Sequence, residues 1–145
     1  MEKREAKVAI IDNSIDSSVY SPVDHWRTYL DVEWHSFKAT KSRFPDLKRR
    51  YTHIILTGSE ASILDRESWV FEEVEVVQEA TEKGLSILGS CYGHQLLALA
   101  LLGPACVRRC AHPEVGWIPI KVEVENDLLG EKKIGHSFSI HFDEV

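Results

Sequence analysis

The sequence has 145 residues, 43% of them hydrophobic, which is enough for one compact core and short for two ordinary domains. Its 17 basic and 23 acidic side chains leave a formal charge of −6, so there is no electrostatic reason to approach nucleic acid or an anionic membrane. No apolar run approaches the roughly 20 residues that span a bilayer, and the charged start passes straight into a strand-like segment. These properties predict a cytoplasmic protein whose partners are small molecules or other proteins.

In chain order, Val8 to Ile11 is a short β-branched run ending at Asp12-Asn13-Ser14, the pattern of a buried parallel strand leading into a polar loop. A short helix is predicted around Trp26 to Leu30, and the alternation from Val32 to Phe37 predicts a second strand. A basic cluster follows at Lys38, Lys41, Arg43, Lys48, Arg49 and Arg50, and reads as a solvated face. His53 to Thr57 is a third strand closed by Gly58-Ser59.

From Arg66 to Lys83, Val70, Phe71, Val74, Val77 and Ala80 recur at helical spacing between glutamates, and Gly84 is a C-terminal stop. Leu85 to Leu88 returns to a buried strand, breaks at Gly89 to Gly93, and continues as an almost wholly apolar helix from Gln95 to Leu102, ended by Gly103-Pro104. Alternating strands and helices predict a mostly parallel sheet covered on both faces, in a single domain over residues 1–145. Beyond Gly103 the segments Val107–Ala111, Gly116–Glu125 and Ile134–Phe142 read as extended, and predict a small antiparallel extension of that sheet.

The chemistry concentrates at Gly89-Ser90-Cys91-Tyr92-Gly93. A strand that delivers a nucleophile to the carboxyl edge of a parallel sheet must turn abruptly into a helix, and glycines two residues before and after make that turn possible. The turn places the Cys91 thiol at the positive end of the following helix and aims the Tyr92 N–H at a substrate carbonyl. The plainer fate of a free cysteine is a small buried apolar residue, but the strand before Cys91 and the helix behind it favour a nucleophile. Cys91, Cys106 and Cys110 are odd in number and follow no disulfide framework, so free thiols are predicted. Cys106-x-x-x-Cys110-x-His112 fits no common zinc spacing, and neither metal nor cofactor is expected.

Ile87-Leu88-Gly89-Ser90-Cys91-Tyr92-Gly93-His94-Gln95-Leu96 resembles the glutaminase elbow of class I glutamine amidotransferases. Glu114-Val115-Gly116-Trp117 and the terminal His141-Phe142-Asp143-Glu144-Val145 are similar to two further segments of that family, so the resemblance runs from about Val8 to Val145. It implies a flavodoxin-like α/β fold, a three-layer arrangement with helices flanking a mostly parallel sheet, in a C-terminally short form. It further implies that N–H groups near Gly58 and Ser59 complete the oxyanion hole begun by Tyr92. Gln95 and the backbone at Ile140 and His141 would then hold bound L-glutamine. Ser59-Glu60 stands where many relatives have a second glycine and a proline.

The implied reaction is attack by Cys91 on the glutamine side-chain amide, release of ammonia, and hydrolysis of a γ-glutamyl thioester, with the ammonia passed to a synthetase domain or subunit. The family's base, a histidine followed two residues later by a glutamate, is placed beyond the His141 segment, and the 145 residues end before it. His112-Pro113-Glu114 reproduces that string in the wrong place. His94 is an ordinary elbow residue, and His25, His35, His53 and His136 have no catalytic context. The expectation is an incomplete domain, inactive alone, whose uncovered apolar surface favours homo-oligomers. The alternatives are a non-catalytic assembly module and a γ-glutamyl hydrolase-like thiol enzyme. The protease/chaperone branch of the fold usually has a histidine directly after the cysteine, where this chain has Tyr92.

Overall fold

The computed structural model describes residues 5–49, 51–127 and 129–145. The charged start Met1–Arg4 and Arg50 of the basic cluster lie outside the described residues. Four strands, β1 (Lys7–Asp12), β2 (Glu33–Lys38), β3 (His53–Leu56) and β4 (Ser86–Gly89), form a parallel sheet in the order β2-β1-β3-β4. The direction in which the chain adds strands reverses between β1 and β3, and in open α/β sheets the crevice at the carboxyl ends of such a pair is where ligands bind.

Alternating side chains of these strands feed two cores. Ala9, Ile11, Ile54 and Leu56 face α2 (Ser68–Glu82) and α3 (Tyr92–Leu102), packing with Val70, Val77, Ala80 and Leu96. Val8, Ile10 and Ile55 face the other way, against Val23, Trp26, Leu30, Val32 and Trp34. Strands buried on both faces explain why Val8 to Ile11 reads as a continuous apolar run rather than an alternation. Each fully buried aliphatic side chain contributes about 1.5–3 kcal/mol, so this double-sided packing fixes the register of the strands that carry the site.

Several boundaries differ from the sequence reading for local reasons. The predicted helix at Trp26 to Leu30 is instead a single α-turn, α1 (Pro22–Trp26), followed by a 3-10 turn at Arg27–Tyr29, because Pro22 starts the helix early. Helix α2 begins at Ser68 rather than Arg66, since Arg66 takes a left-handed backbone (φ 52°) that closes the preceding turn. Its end follows prediction: Gly84 is left-handed (φ 71°) and the Leu85 and Gly84 amides donate to the Ala80 and Thr81 carbonyls.

The antiparallel part requires a correction. It is not an extension of the main sheet but a separate two-stranded ribbon of β5 (Arg108–Val122) and β6 (Lys133–Glu144). Two predicted segments are in fact one strand, broken in register between Arg109 and Glu114 around His112-Pro113. Across the ribbon Val115 faces Ile140 and Trp117 faces Phe138, whose rings meet edge to face at 5.7 Å. All four side chains are at least half exposed.

Candidate active site

The site forms where β1, β3 and β4 end together. Gly89 and Gly93 are required by close approach. A Cβ on Gly89 would lie 2.5 Å from the Gly93 carbonyl oxygen, and one on Gly93 would collide with the Leu56 carbonyl of β3. The Ser90 amide donates to the same Leu56 oxygen at 3.0 Å, which clamps the elbow to β3. Cys91 is forced to φ 52°, ψ −111°, a conformation costly for any residue with a side chain. Its thiol stands exposed at the mouth of the turn. Helix α3 starts at Tyr92, three residues earlier than predicted, because the His94 and Gln95 amides already bond the Cys91 carbonyl.

Among the described residues, the N–H groups of Tyr92, Gly58 and Ser59 carry no hydrogen bond. A Cβ built on Gly58 would sit 3.6 Å from Cys91 Cβ, so the loop after β3 abuts Cys91. Upstream, the Asn13 amide donates to Thr57 Oγ1 at 2.9 Å and its side-chain Nδ2 to the Thr57 carbonyl at 3.2 Å, tying the ends of β1 and β3 together. The Tyr92 side chain points the other way, into the core, its ring centroid 5.8 Å from that of Trp69. Burial pushes the Tyr92 phenol far above its ordinary range, so it stays neutral.

A cavity of about 220 Å³ is bounded by Ser59, Cys91, Gln95, Arg109, Ile140 and His141 among others. The ribbon forms its far wall and is held by one buried carboxylate. Asp143, 5% exposed, accepts from Ser62 Oγ at 2.5 Å and pairs with Arg109 Nη1 at 2.9 Å, while its carbonyl accepts from Gln95 Nε2 at 2.7 Å. Thus Gln95, read from the sequence as a substrate contact, borders the cavity but donates a side-chain N–H to the ribbon. Sequence reasoning has no means of grouping Ser62, Arg109 and Asp143 as a unit, although Asp143 lies in the terminal motif.

His141 borders the same cavity, but its ring is engaged elsewhere: Nε2 lies 2.9 Å from Glu114 Oε2 and Nδ1 lies 3.7 Å from Cys110 Sγ. Glu114 therefore pairs across the ribbon with His141 rather than with His112. Desolvation, with the Glu144 and Asp143 carboxylates, pushes the Cys110 thiol up, which keeps it protonated. His25, His35 and His53 contact Tyr29, Tyr51 and Thr52, and none of them borders Cys91. Among the described residues no histidine hydrogen-bonds the Cys91 thiol, no cluster of three or more His, Cys, Asp or Glu could hold a metal, and no helix is long and apolar enough to cross a membrane.

Comparison with known proteins gives the family and the fold. Among curated sequences the chain is similar to gamma-glutamyl peptidase 3 of Arabidopsis thaliana, 25% identical over 122 residues covering 78% of this chain and 49% of that protein. It is also similar to gamma-glutamyl peptidase 4 of the same plant, 27% identical over 70 residues covering 47% and 28%. The chain spans about half or less of the length of these relatives. In fold it superimposes on a glutamine amidotransferase from Thermotoga maritima with a TM-score of 0.74 at 19% identity, covering 96% of this chain and 61% of that one. A putative GMP synthase subunit from Thermoplasma acidophilum gives 0.67 at 22% identity, covering 97% and 66%. The model of the family described as Glutamine amidotransferase class-I matches residues 9–141, nearly the whole chain, and with the elbow in place this chain belongs to that family.

Proposed function

We propose that Cys91 attacks the carbonyl of a γ-glutamyl amide, with glutamine as the smallest such substrate. The observation that carries the reading is the strained, exposed Cys91 at the head of α3, facing a cavity and flanked by three unpaired backbone N–H groups. In the reaction a C–S bond forms, the carbonyl oxygen takes up charge opposite the Tyr92, Gly58 and Ser59 amides, and the C–N bond breaks as the thiol's proton ends on the departing nitrogen. Water then cleaves the thioester to glutamate. Gln95 and the backbone at Ile140 and His141 form the pocket wall that would orient the glutamyl group.

If the departing nitrogen is ammonia, it serves a synthetase partner, as the likeness to a putative GMP synthase subunit suggests. If it is the amino group of a peptide, the activity is that of a γ-glutamyl hydrolase, as the likeness to two gamma-glutamyl peptidases suggests. Turnover also needs a proton acceptor. His141 is turned to Glu114 and Cys110, which supports a chain that acylates but turns over slowly on its own.

The test is to incubate the protein with glutamine and with a γ-glutamyl dipeptide, measuring released ammonia or amino acid and the mass of Cys91. A γ-glutamyl adduct or product with either substrate, absent in Cys91→Ala, is the expected result, and the better substrate separates the two activities. No adduct and no product with either would leave a non-catalytic module as the function. The exposed ribbon side chains further support self-association: sedimentation is expected to show dimers or larger species at micromolar concentration, and a monomer throughout would refute this.

A further inference from the structure

The loop between β1 and α1 brings to the site a side chain that carries no motif of its own. Tyr20 lies against the β3 loop: a Cβ added to Gly58 would be 2.8 Å from the Tyr20 hydroxyl and 3.6 Å from Cys91 Cβ, so the phenol and the Cys91 side chain both approach this glycine. Among the described residues the hydroxyl has no hydrogen-bond partner. It is an unused donor beside the unused Gly58 amide.

The loop is held there by Glu60. Its carboxylate accepts from the Ile15 amide at 2.8 Å and the Asp16 amide at 3.3 Å, and the Asp16 carbonyl in turn accepts from the Val19 and Tyr20 amides at 3.0 Å each. Lys38 braces the root of the same loop through Asp12 and Ser14. Only a side chain with acceptor oxygens at position 60 makes the first two of these connections. The presence of Glu60 and the placement of Tyr20 are thus one device.

We propose that Tyr20 is a catalytic residue, its hydroxyl donating a side-chain hydrogen bond, beside those of the backbone amides, to the substrate oxygen that becomes negative when Cys91 adds to the carbonyl. In that step the C–S bond forms, the carbonyl π pair moves onto oxygen, and the alkoxide is met by the phenol as well as by the backbone amides. No proton need be transferred from the phenol. Desolvation, with the nearby Cys91, Glu60 and Asp12, raises the Tyr20 hydroxyl above its usual range, which keeps it a neutral donor. A donor aimed at developing charge is worth more than one aimed at a ground-state carbonyl.

The proposal rests on Cys91 being the attacking sulfur, and the experiment separates the two. Glutarate semialdehyde, which presents the glutamine side chain as an aldehyde and lacks the amino group that would cyclise, forms a hemithioacetal with a nucleophilic cysteine. Its binding is measured for wild type, Tyr20→Phe, Glu60→Gln and Cys91→Ala, beside the rate of Cys91 alkylation by iodoacetamide. Tyr20→Phe is expected to bind roughly ten- to a hundred-fold more weakly, with an unchanged alkylation rate and melting temperature, and Glu60→Gln to lose part of that. Equal binding by wild type and Tyr20→Phe overturns the role of Tyr20 and leaves Cys91 standing. An equal slowing of alkylation assigns Tyr20 to the thiol instead of the oxygen and also overturns it. Equal binding by wild type and Cys91→Ala overturns both.

Discussion

Gly93→Ala is expected to destabilise the chain by about 3 kcal/mol and to remove reactivity at Cys91, because the new methyl group meets backbone rather than a side chain that can move. The obstacle is the Leu56 carbonyl of β3, and the Gly89 position behind it is equally closed by the Gly93 carbonyl. Either the elbow lifts off β3 or β3 shifts from β1, and both separate the Gly58 loop from the Tyr92 amide. Thermal unfolding of the variant should begin roughly 6–12 °C below wild type. A Gly93→Ala protein with unchanged melting and unchanged alkylation by iodoacetamide would show that the contact with β3 is looser than the geometry requires.

The pH dependence of stability should be dominated by Glu73. This side chain of α2 is fully buried, and burial pushes its carboxyl up to about 8, opposed in part by hydrogen bonding from the Asn13 side chain. Since the folded value lies above the ordinary 4.5, the native state holds a proton that the unfolded chain has lost between these limits. Stability is therefore full below about pH 4.5 as far as this group is concerned, falls as pH rises, and levels off above about 8. The loss amounts to a few kcal/mol. Glu73→Gln keeps the shape and removes the proton, so its urea midpoint should be nearly flat across that window while that of wild type declines. Parallel curves for the two proteins would place the titration elsewhere.

What is legible in the sequence follows from how local each signal is. The four parallel strands and α2 can be read because β-branched runs and helical periodicity are properties of neighbouring residues, and the Gly89-x-Cys91-x-Gly93 turn is complete within five positions. The ribbon is hidden because a strand's partner is set by tertiary contact. Nothing near Arg108 announces that its strand pairs with residues ending at Glu144 instead of with β4, and His112-Pro113 interrupts the alternation that would have joined its halves. The site shows the same division. Cys91, Tyr92 and Gln95 come from one segment, whereas Tyr20, Glu60 and Asp143 meet the site only in space. Glu73 is masked by its surroundings, standing among Glu72, Glu75 and Glu79 in what reads as a uniformly solvated acidic face, yet it alone of these turns fully inward.

The contrast between two of the four tryptophans has a spectroscopic consequence. Trp69 is 6% exposed and packed on Tyr92 directly behind the elbow, while Trp117 is 73% exposed on the ribbon. An aqueous quencher such as iodide reaches the second and not the first. With the half-buried Trp26 and Trp34 replaced by Phe, difference emission with and without quencher gives two optical reporters in the unlabelled protein, a blue-shifted one following the scaffold under Cys91 and a red-shifted one following whatever covers the ribbon.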